Sequence, residues 1–387
     1  YKEALKIKPD YAEAYNNMGV AQNDKGDPEA AIKSYKEALK IKPDYAEAYN
    51  NIGNSAKDRG DIKIATDSYN QAINIKPNYV ESYWNKSLLK LLIGEFIEGW
   101  KLYEWRWKKK PHIDTLRSYQ RPLWLGDESI FHKTLLIYPE QGIGDYIQFI
   151  RYASVLEELG VKIILEVPRS LLTLCSTLKG DPILIQKGDQ LPKFDYHCPV
   201  MSLPLALKST LESIPAQIPY LYADKQKKKL WNAKLGNKVL TRIGLVWSGS
   251  TWHENDHNRS LLLYQLKSLL LLPFEFHSLQ KEVREIDFKT LIDFPEINQH
   301  QEDLIDFSDT ASLIDEMDLV ISVDTAVAHL SGAMGKKTFI LLPFSPDYRW
   351  MLDREDSPWY PSATLFRQPS MGDWDSVISE ISLVLSD

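Results

Sequence analysis

Cysteine is nearly absent: Cys175 and Cys198 are the only two in 387 residues. That excludes a disulfide framework and a cysteine-based zinc site, and a reducing cytoplasm is the expected setting. Long apolar runs are missing too. The longest, residues 261–276, is interrupted by Gln265, Lys267 and Pro273, so no membrane span is expected. No signal-peptide pattern is evident, and the chain opens without Met in the middle of a repeat, which reads as a fragment of a longer protein. Positive charge is in short supply: 46 Lys and Arg stand against 53 Asp and Glu, a net charge of −7. Non-specific nucleic-acid binding is therefore a poor default. What is present, 44% hydrophobic residues in a chain of this length, suits two or three folded domains. The charge is uneven. Residues 1–111 carry 19 basic and 16 acidic side chains (+3), and the remainder carries 27 and 37 (−10), so two different bodies are joined.

Residues 1–17 (YKEALKIKPDYAEAYNN) recur unchanged at 35–51, an offset of 34. Counted from Ala12, the small and large slots hold Tyr15, Gly19, Ala31, Tyr35, Ala38 and Pro43. Counted from Ala46, they hold Tyr49, Gly53, Ala65, Tyr69, Ala72 and Pro77. Small residues let two helices approach, aromatics fill the gaps and proline ends the second helix. A half repeat precedes, and a degenerate one follows from Val80 with Tyr83, Gly94, Gly99 and Tyr103 in register. The pattern resembles tetratricopeptide repeats. Asn17, Asn51 and Asn85 share one slot near the inner face. Their ladder of amides resembles that of the O-GlcNAc transferase superhelix and would bind the backbone of an extended peptide; the alternative is that they are solvated. Residues 99–110 (GWKLYEWRWKKK) predict a capping helix, with Trp100, Trp105 and Trp107 docking the last repeat onto the next domain and the lysines in water.

From Thr134 the texture changes. TLLIY reads as a buried strand, followed by a Gly-rich turn, a helix over 146–159 and a second strand over 161–167, a parallel βαβ unit. Short strand runs follow at 183–186 and 195–200. The lysine-rich stretch 225–238 reads as a domain linker. A second set begins at Val239, alternating strands (RIGLV, FEFHSLQ, DLVISVD, KTFILLPF) with helices and closing on a helix from Trp374. The expected architecture is an α-solenoid followed by two Rossmann-like halves facing a cleft: repeats at 1–111, a front half at 112–236 and a rear half at 237–387. In open parallel sheets ligands sit beyond the carboxyl ends of the strands, and the informative loops all lie there.

Gly142 and Gly144 let backbone N–H groups approach a ligand. Asp145, at a helix start, is either a plain cap or a carboxylate able to take a proton from a hydroxyl. After the second set's first strand stand Ser248, Gly249 and Arg259, whose fork suits phosphate oxygens; Gln280 ends the next strand run. Asp324 and Thr325 open a helix bearing His329, a ready anion site if they do more than cap and pack. Arg349 lies in a loop that runs on to Trp359 and Tyr360, aromatics that would flank a base or sugar. His253 and His257 lack a third ligand, so no metal is expected. No Ser-His-Asp order, nucleophile elbow or DxD-type pair appears.

Together these loops resemble the GT-B glycosyltransferase fold and, over roughly 120–387, the heptosyltransferase-like glycosyltransferase family 9. The resemblance implies that Gly144-Asp145 carries the catalytic carboxylate and that Asp324, Thr325 and His329 bind the diphosphate of a nucleotide-sugar donor. The family's basic residue after the first rear strand is missing, and Arg259 is its substitute; Ala326 stands where a glycine is usual. Fusion to repeats resembles bacterial proteins described as protein O-glycosyltransferases. The implied activity is metal-independent, inverting sugar transfer, without a cofactor, to an acceptor hydroxyl on a protein held by the repeats. The alternatives are a lipid-linked or polysaccharide acceptor, a nucleotide-sugar epimerase, and a non-catalytic scaffold. Oligomerisation is left open.

Overall fold

The computed structural model describes residues 1–253 and 255–386. The chain forms two compact units: Tyr1–Arg117 with Ser345–Leu352, and Ser118–Phe344 with Asp353–Asp387.

In the first unit the 34-residue period becomes antiparallel helix pairs: Ala12–Asn23 with Pro28–Ile41, Ala46–Asp58 with Ile62–Ile75, and Val80–Leu92 with Phe96–Tyr103. The small slots have a physical reason. A methyl group at Gly53 would lie 2.4 Å from the Tyr69 ring, and one at Gly19 would lie 2.5 Å from Tyr35. Both tyrosines are buried, each contributing about 2 kcal/mol by apolar burial. Asp27 accepts from the Ala30 N–H at 2.9 Å, with Pro28 at the first helical position. Lys42 leaves the helical region ahead of Pro43, as the residue before a proline must, and lies over the Tyr45 ring at 4.6 Å. Lys8 on Tyr11 and Lys76 on Tyr79 repeat that contact at 5.1 and 4.5 Å.

The aromatic stretch after the last pair is a helix to Tyr103 and then a tight turn over Glu104–Lys108. Trp100 is buried, Trp105 stacks on Tyr83 at 3.7 Å, and Lys101, Lys108 and Lys110 are exposed. Arg106, not expected inside, is fully buried and donates to Glu104 at 2.6 Å. The returning segment Ser345–Leu352 packs here. Tyr348 meets Trp100 and Tyr103 edge-on at 5.9 and 6.1 Å, Met351 lies against Gly94, and the Ser345 hydroxyl donates to Asp58 at 3.2 Å. The first compact unit thus runs to Arg117 and includes eight residues from far along the chain.

The second unit holds two parallel sheets. β1 (Thr134–Tyr138), β2 (Lys162–Val167), β3 (Ile183–Gln186) and β4 (Tyr196–Pro199) form one, in the order β3-β2-β1-β4. β5 (Arg242–Val246), β6 (Glu275–Ser278), β7 (Leu319–Val323), β8 (Thr338–Leu342) and β9 (Ala363–Arg367) form the other, in the order β6-β5-β7-β8-β9. β5, β7 and β8 are buried throughout, the apolar signature of parallel strands covered on both faces. Helix Trp374–Ser386 adds Trp374, Val377, Ile378 and Ile381 to the core of the second sheet.

The stretch expected as a linker is folded. Lys225–Leu235 is a helix with Trp231 buried. Lys227 pairs with Asp306 and Asp309 at 2.9 Å each, and Lys228 pairs with Asp315 and Lys234 with Asp303. Its hydrophilicity is one half of a charge-complementary face.

Trp231 also covers a buried histidine pair. His277 Nδ1 is 3.0 Å from His300 Nε2, and His277 Nε2 is 3.0 Å from Glu275 Oε1. Burial first, and then the charges of His277 and Lys234, push His300 down to about 4. Burial also lowers His277, against the opposite pull of Glu275. Between pH 6.5 and 4 the unfolded chain therefore binds a proton that folded His300 does not. Stability rises with pH across that window and is lost as pH falls through it. We expect His300 to account for about 2 kcal/mol of the loss in urea melts between pH 7 and 4, after partial solvent screening. His300→Asn should flatten that slope; an unchanged slope would exonerate the pair.

Candidate functional site

Both sheets reverse strand order beside their first strand, at β1/β4 and at β5/β7. The loops leaving β1, β5 and β7 therefore stand at the two switch points, where the ends of adjacent connections part and leave room for a ligand.

The β1 loop leads into helix Ile143–Phe149. Asp145 reaches back so that its Oδ2 accepts from the Gly142 N–H at 2.8 Å. The cap reading is thus realised by one carboxylate oxygen. Gly142 uses its N–H there, and Gly144 has a packing role: a methyl group on it would lie 2.9 Å from His329 Cδ2 and 3.4 Å from Ala326 Cα. The start of the Asp145 helix therefore abuts the start of helix Ala326–Ala333. At Gly144 the missing side chain thus makes room for the loop of the other sheet.

Helix Ala326–Ala333 begins after Thr325, which is extended (φ −142°, ψ 172°) with its hydroxyl 3.1 Å from that of Ser322. The first N–H groups of this helix carry the positive end of its dipole. His329 is buried, its Nδ1 3.0 Å from the Tyr360 hydroxyl and its Nε2 3.8 Å from Asp324 Oδ1. Arg259 joins the same group: its Nη1 donates to the Asp324 carbonyl at 2.9 Å, and its guanidinium lies over Gly249, where a methyl group would sit 2.4 Å from Nη2. Asp145, Arg259, Asp324, Thr325 and His329 are thereby linked through direct contacts or neighbouring residues.

Ser248 and Gln280 clasp each other. Gln280 Nε2 donates to the Ser248 carbonyl at 2.8 Å and lies 3.1 Å from its hydroxyl, joining the loops after β5 and β6. Arg349 lies in the first unit, where it donates to Asp347 at 2.7 Å and lies over the Tyr348 ring at 4.4 Å. Trp359 and Tyr360, expected to flank a base or sugar, are buried at 1% and 0% exposure. Sequence reasoning missed Arg284, which donates to the Gly249 carbonyl at 3.0 Å and to Asp256 at 2.5 Å. It braces the loop that carries Arg259, and its place on a separate polar loop gave no signal. Among the described residues no three His, Cys, Asp or Glu side chains gather as a metal-holding group.

In the repeats, Asn51 Nδ2 donates to Asn16 Oδ1 and Asn85 Nδ2 to Asn50 Oδ1, each at 3.0 Å, and Asn16 Nδ2 lies 3.5 Å from Asn17 Oδ1. The amides of Asn51 and Asn85 thus tie one repeat to the next, while Asn17 meets its own neighbour Asn16. The buried partners, Asn16 and Asn50, were not singled out by sequence. Both cysteines are buried. Among the described residues no helix is long and apolar enough to cross a membrane.

The Caulobacter vibrioides protein named Protein FlbA is 26% identical over 415 residues, covering all of this chain; the chain spans 63% of that relative's length. A solved structure titled MamA shares 28% identity over 29% of this chain and 66% of its own, with a TM-score of 0.27. A glycosyl transferase family 9 structure from Veillonella parvula is 11% identical over 65% of this chain and 92% of its own, with a TM-score of 0.46. Residues 1–26 and 21–58 match a family described as TPR repeat, and residues 46–79 match one described as tetratricopeptide repeat. The helices of residues 1–79 are tetratricopeptide repeats.

Proposed function

We propose that the chain is a metal-independent, inverting glycosyltransferase of the GT-B kind that uses a nucleotide-diphosphate sugar. The observation that supports this reading is the close approach of Gly144 to His329 and Ala326, which brings the first turn of the Asp145 helix against the start of helix Ala326–Ala333. Asp145 takes the proton of the acceptor hydroxyl. The hydroxyl oxygen bonds to the anomeric carbon from the face opposite the leaving group. The anomeric C–O bond breaks, and its electron pair goes to the diphosphate. Arg259, the N–H groups following Thr325, and His329 meet that growing charge with fixed donors. Ser248, Gln280 and Arg284 hold the loops in place. The amides of Asn17, Asn51 and Asn85 bind the backbone of a protein acceptor.

Calorimetry with UDP-, GDP- and ADP-sugars tests the reading. We expect one nucleotide series to bind and to release free nucleoside diphosphate only when an acceptor is added. Absence of binding across the panel would leave a scaffold; release of nucleotide without acceptor would indicate an epimerase.

A further inference from the structure

Arg151 is 3% exposed, yet its hydrogen bonds run to neutral oxygens. Nε donates to the Gln148 carbonyl at 2.8 Å. Nη1 donates to the Trp359 carbonyl at 2.6 Å and to the Pro215 carbonyl at 3.3 Å. Nη2 donates to the Tyr220 hydroxyl at 2.9 Å. The guanidinium also lies 4.6 Å from the centres of both the Tyr220 and Tyr360 rings. Removing a cation from water is costly, so such a site persists only where the surrounding dipoles and ring faces are well placed. Arg151 opens helix Arg151–Glu158, one residue after the helix that carries Asp145, and it clamps the 359–360 segment, which follows β8 and precedes β9.

Tyr360, fully buried, carries the link onward: its hydroxyl is 3.0 Å from His329 Nδ1. A neutral imidazole has one N–H, and the hydrogen bond at one nitrogen decides which nitrogen bears it. On the far side, His329 Nε2 faces the Asp324 carboxylate at 3.8 Å, which favours the proton on Nε2. Nδ1 is then the acceptor, and the Tyr360 hydroxyl, which also meets the Tyr220 hydroxyl, turns its proton to the imidazole.

We infer that Tyr360 is a positioning residue that fixes His329 as the Nε2–H tautomer aimed at the Asp324 side of the site, and that Arg151 holds the Tyr360 ring in place from the helix following Asp145. The clamp thus ties the carboxylate's own helix to the histidine's support. The consequence for catalysis rests on the glycosyltransferase reading; the tautomer does not.

The test is ¹⁵N–¹H correlation of the imidazole rings in the full chain, with His329→Gln to assign the signal. We expect His329 in the unaltered protein to show a protonated Nε2 and an unprotonated Nδ1. Tyr360→Phe, which removes only the hydroxyl, should give a mixture of tautomers with an unchanged far-UV spectrum. Arg151→Lys should partly reproduce that mixture. A protonated Nδ1 in the unaltered chain would overturn the proposal, and needs no variant to be seen. An unchanged His329 signal in Tyr360→Phe would overturn it as well. Affinity for the nucleotide sugar should fall about tenfold in Tyr360→Phe. If the unaltered chain binds no nucleotide sugar, the functional reading fails while the tautomer comparison still decides this one.

Discussion

Replacing Asp145 with asparagine is expected to cut sugar-transfer turnover by about 10²-fold or more, with nucleotide-sugar affinity near that of the unaltered chain. The substitution separates two duties of one side chain. Asp145 Oδ2 accepts from the Gly142 N–H at 2.8 Å and so holds the first turn of its helix. Asparagine keeps an oxygen for that bond and the same shape. It cannot take up a proton at neutral pH, so only the base is lost. Asp145→Ala removes both duties and should also cost about 1 kcal/mol of stability through the lost cap. Steady-state turnover and a thermal melt of each variant check this. Were Asp145 only a cap, asparagine would retain full turnover and alanine would alter stability alone.

Arg259→Ala is expected to weaken nucleotide-sugar binding about 30- to 100-fold, the range for losing a charge-assisted pair of hydrogen bonds in a partly buried site. The arginine is well anchored for this role. Its Nη1 is held by the Asp324 carbonyl, its plane rests on Gly249, and its side chain is only 12% exposed. Among the described residues its Nε has no hydrogen-bond partner. A lysine would restore charge without the planar fork, so Arg259→Lys should recover only part of the affinity. Gly249→Ala should imitate Arg259→Ala from the opposite side, because the added methyl group takes the space of Nη2. Calorimetry on the three variants reads the series, and equal affinity in all of them would remove Arg259 from the diphosphate.

Much of this was legible in the residues themselves. The exact recurrence of seventeen residues, with Gly53 against Tyr69 and Gly19 against Tyr35, encodes helix pairs because each glycine leaves a ring-sized space one helix away. The strand runs before Gly142, Ser248 and Asp324 are apolar on both faces, so parallel sheets and strand-tip loops followed. Several features were hidden because they depend on contacts between residues distant in sequence. Lys225–Leu235 has one apolar anchor, Trp231, and reads as a linker until Asp303, Asp306, Asp309 and Asp315 are brought beside it. β9 was overlooked because ATLFR is short and follows a polar, proline-containing loop. Gly144 was read as a backbone window for a ligand, and its packing reason came only with the fold: His329, 185 positions later, occupies the space its missing side chain leaves. Trp359 and Tyr360 carried the composition of a ligand-stacking loop and proved to be internal supports.

The eight residues Ser345–Leu352 make the repeat array a composite object. A gene cut after residue 117 would yield an array with Trp100 and Tyr103 stripped of their Tyr348 neighbour. The complementary fragment would carry Tyr348, Trp350 and Met351, all buried in the intact chain, on a loose greasy loop. Grafting a foreign array onto this chain therefore calls for two splices, one at the head and one between β8 and β9.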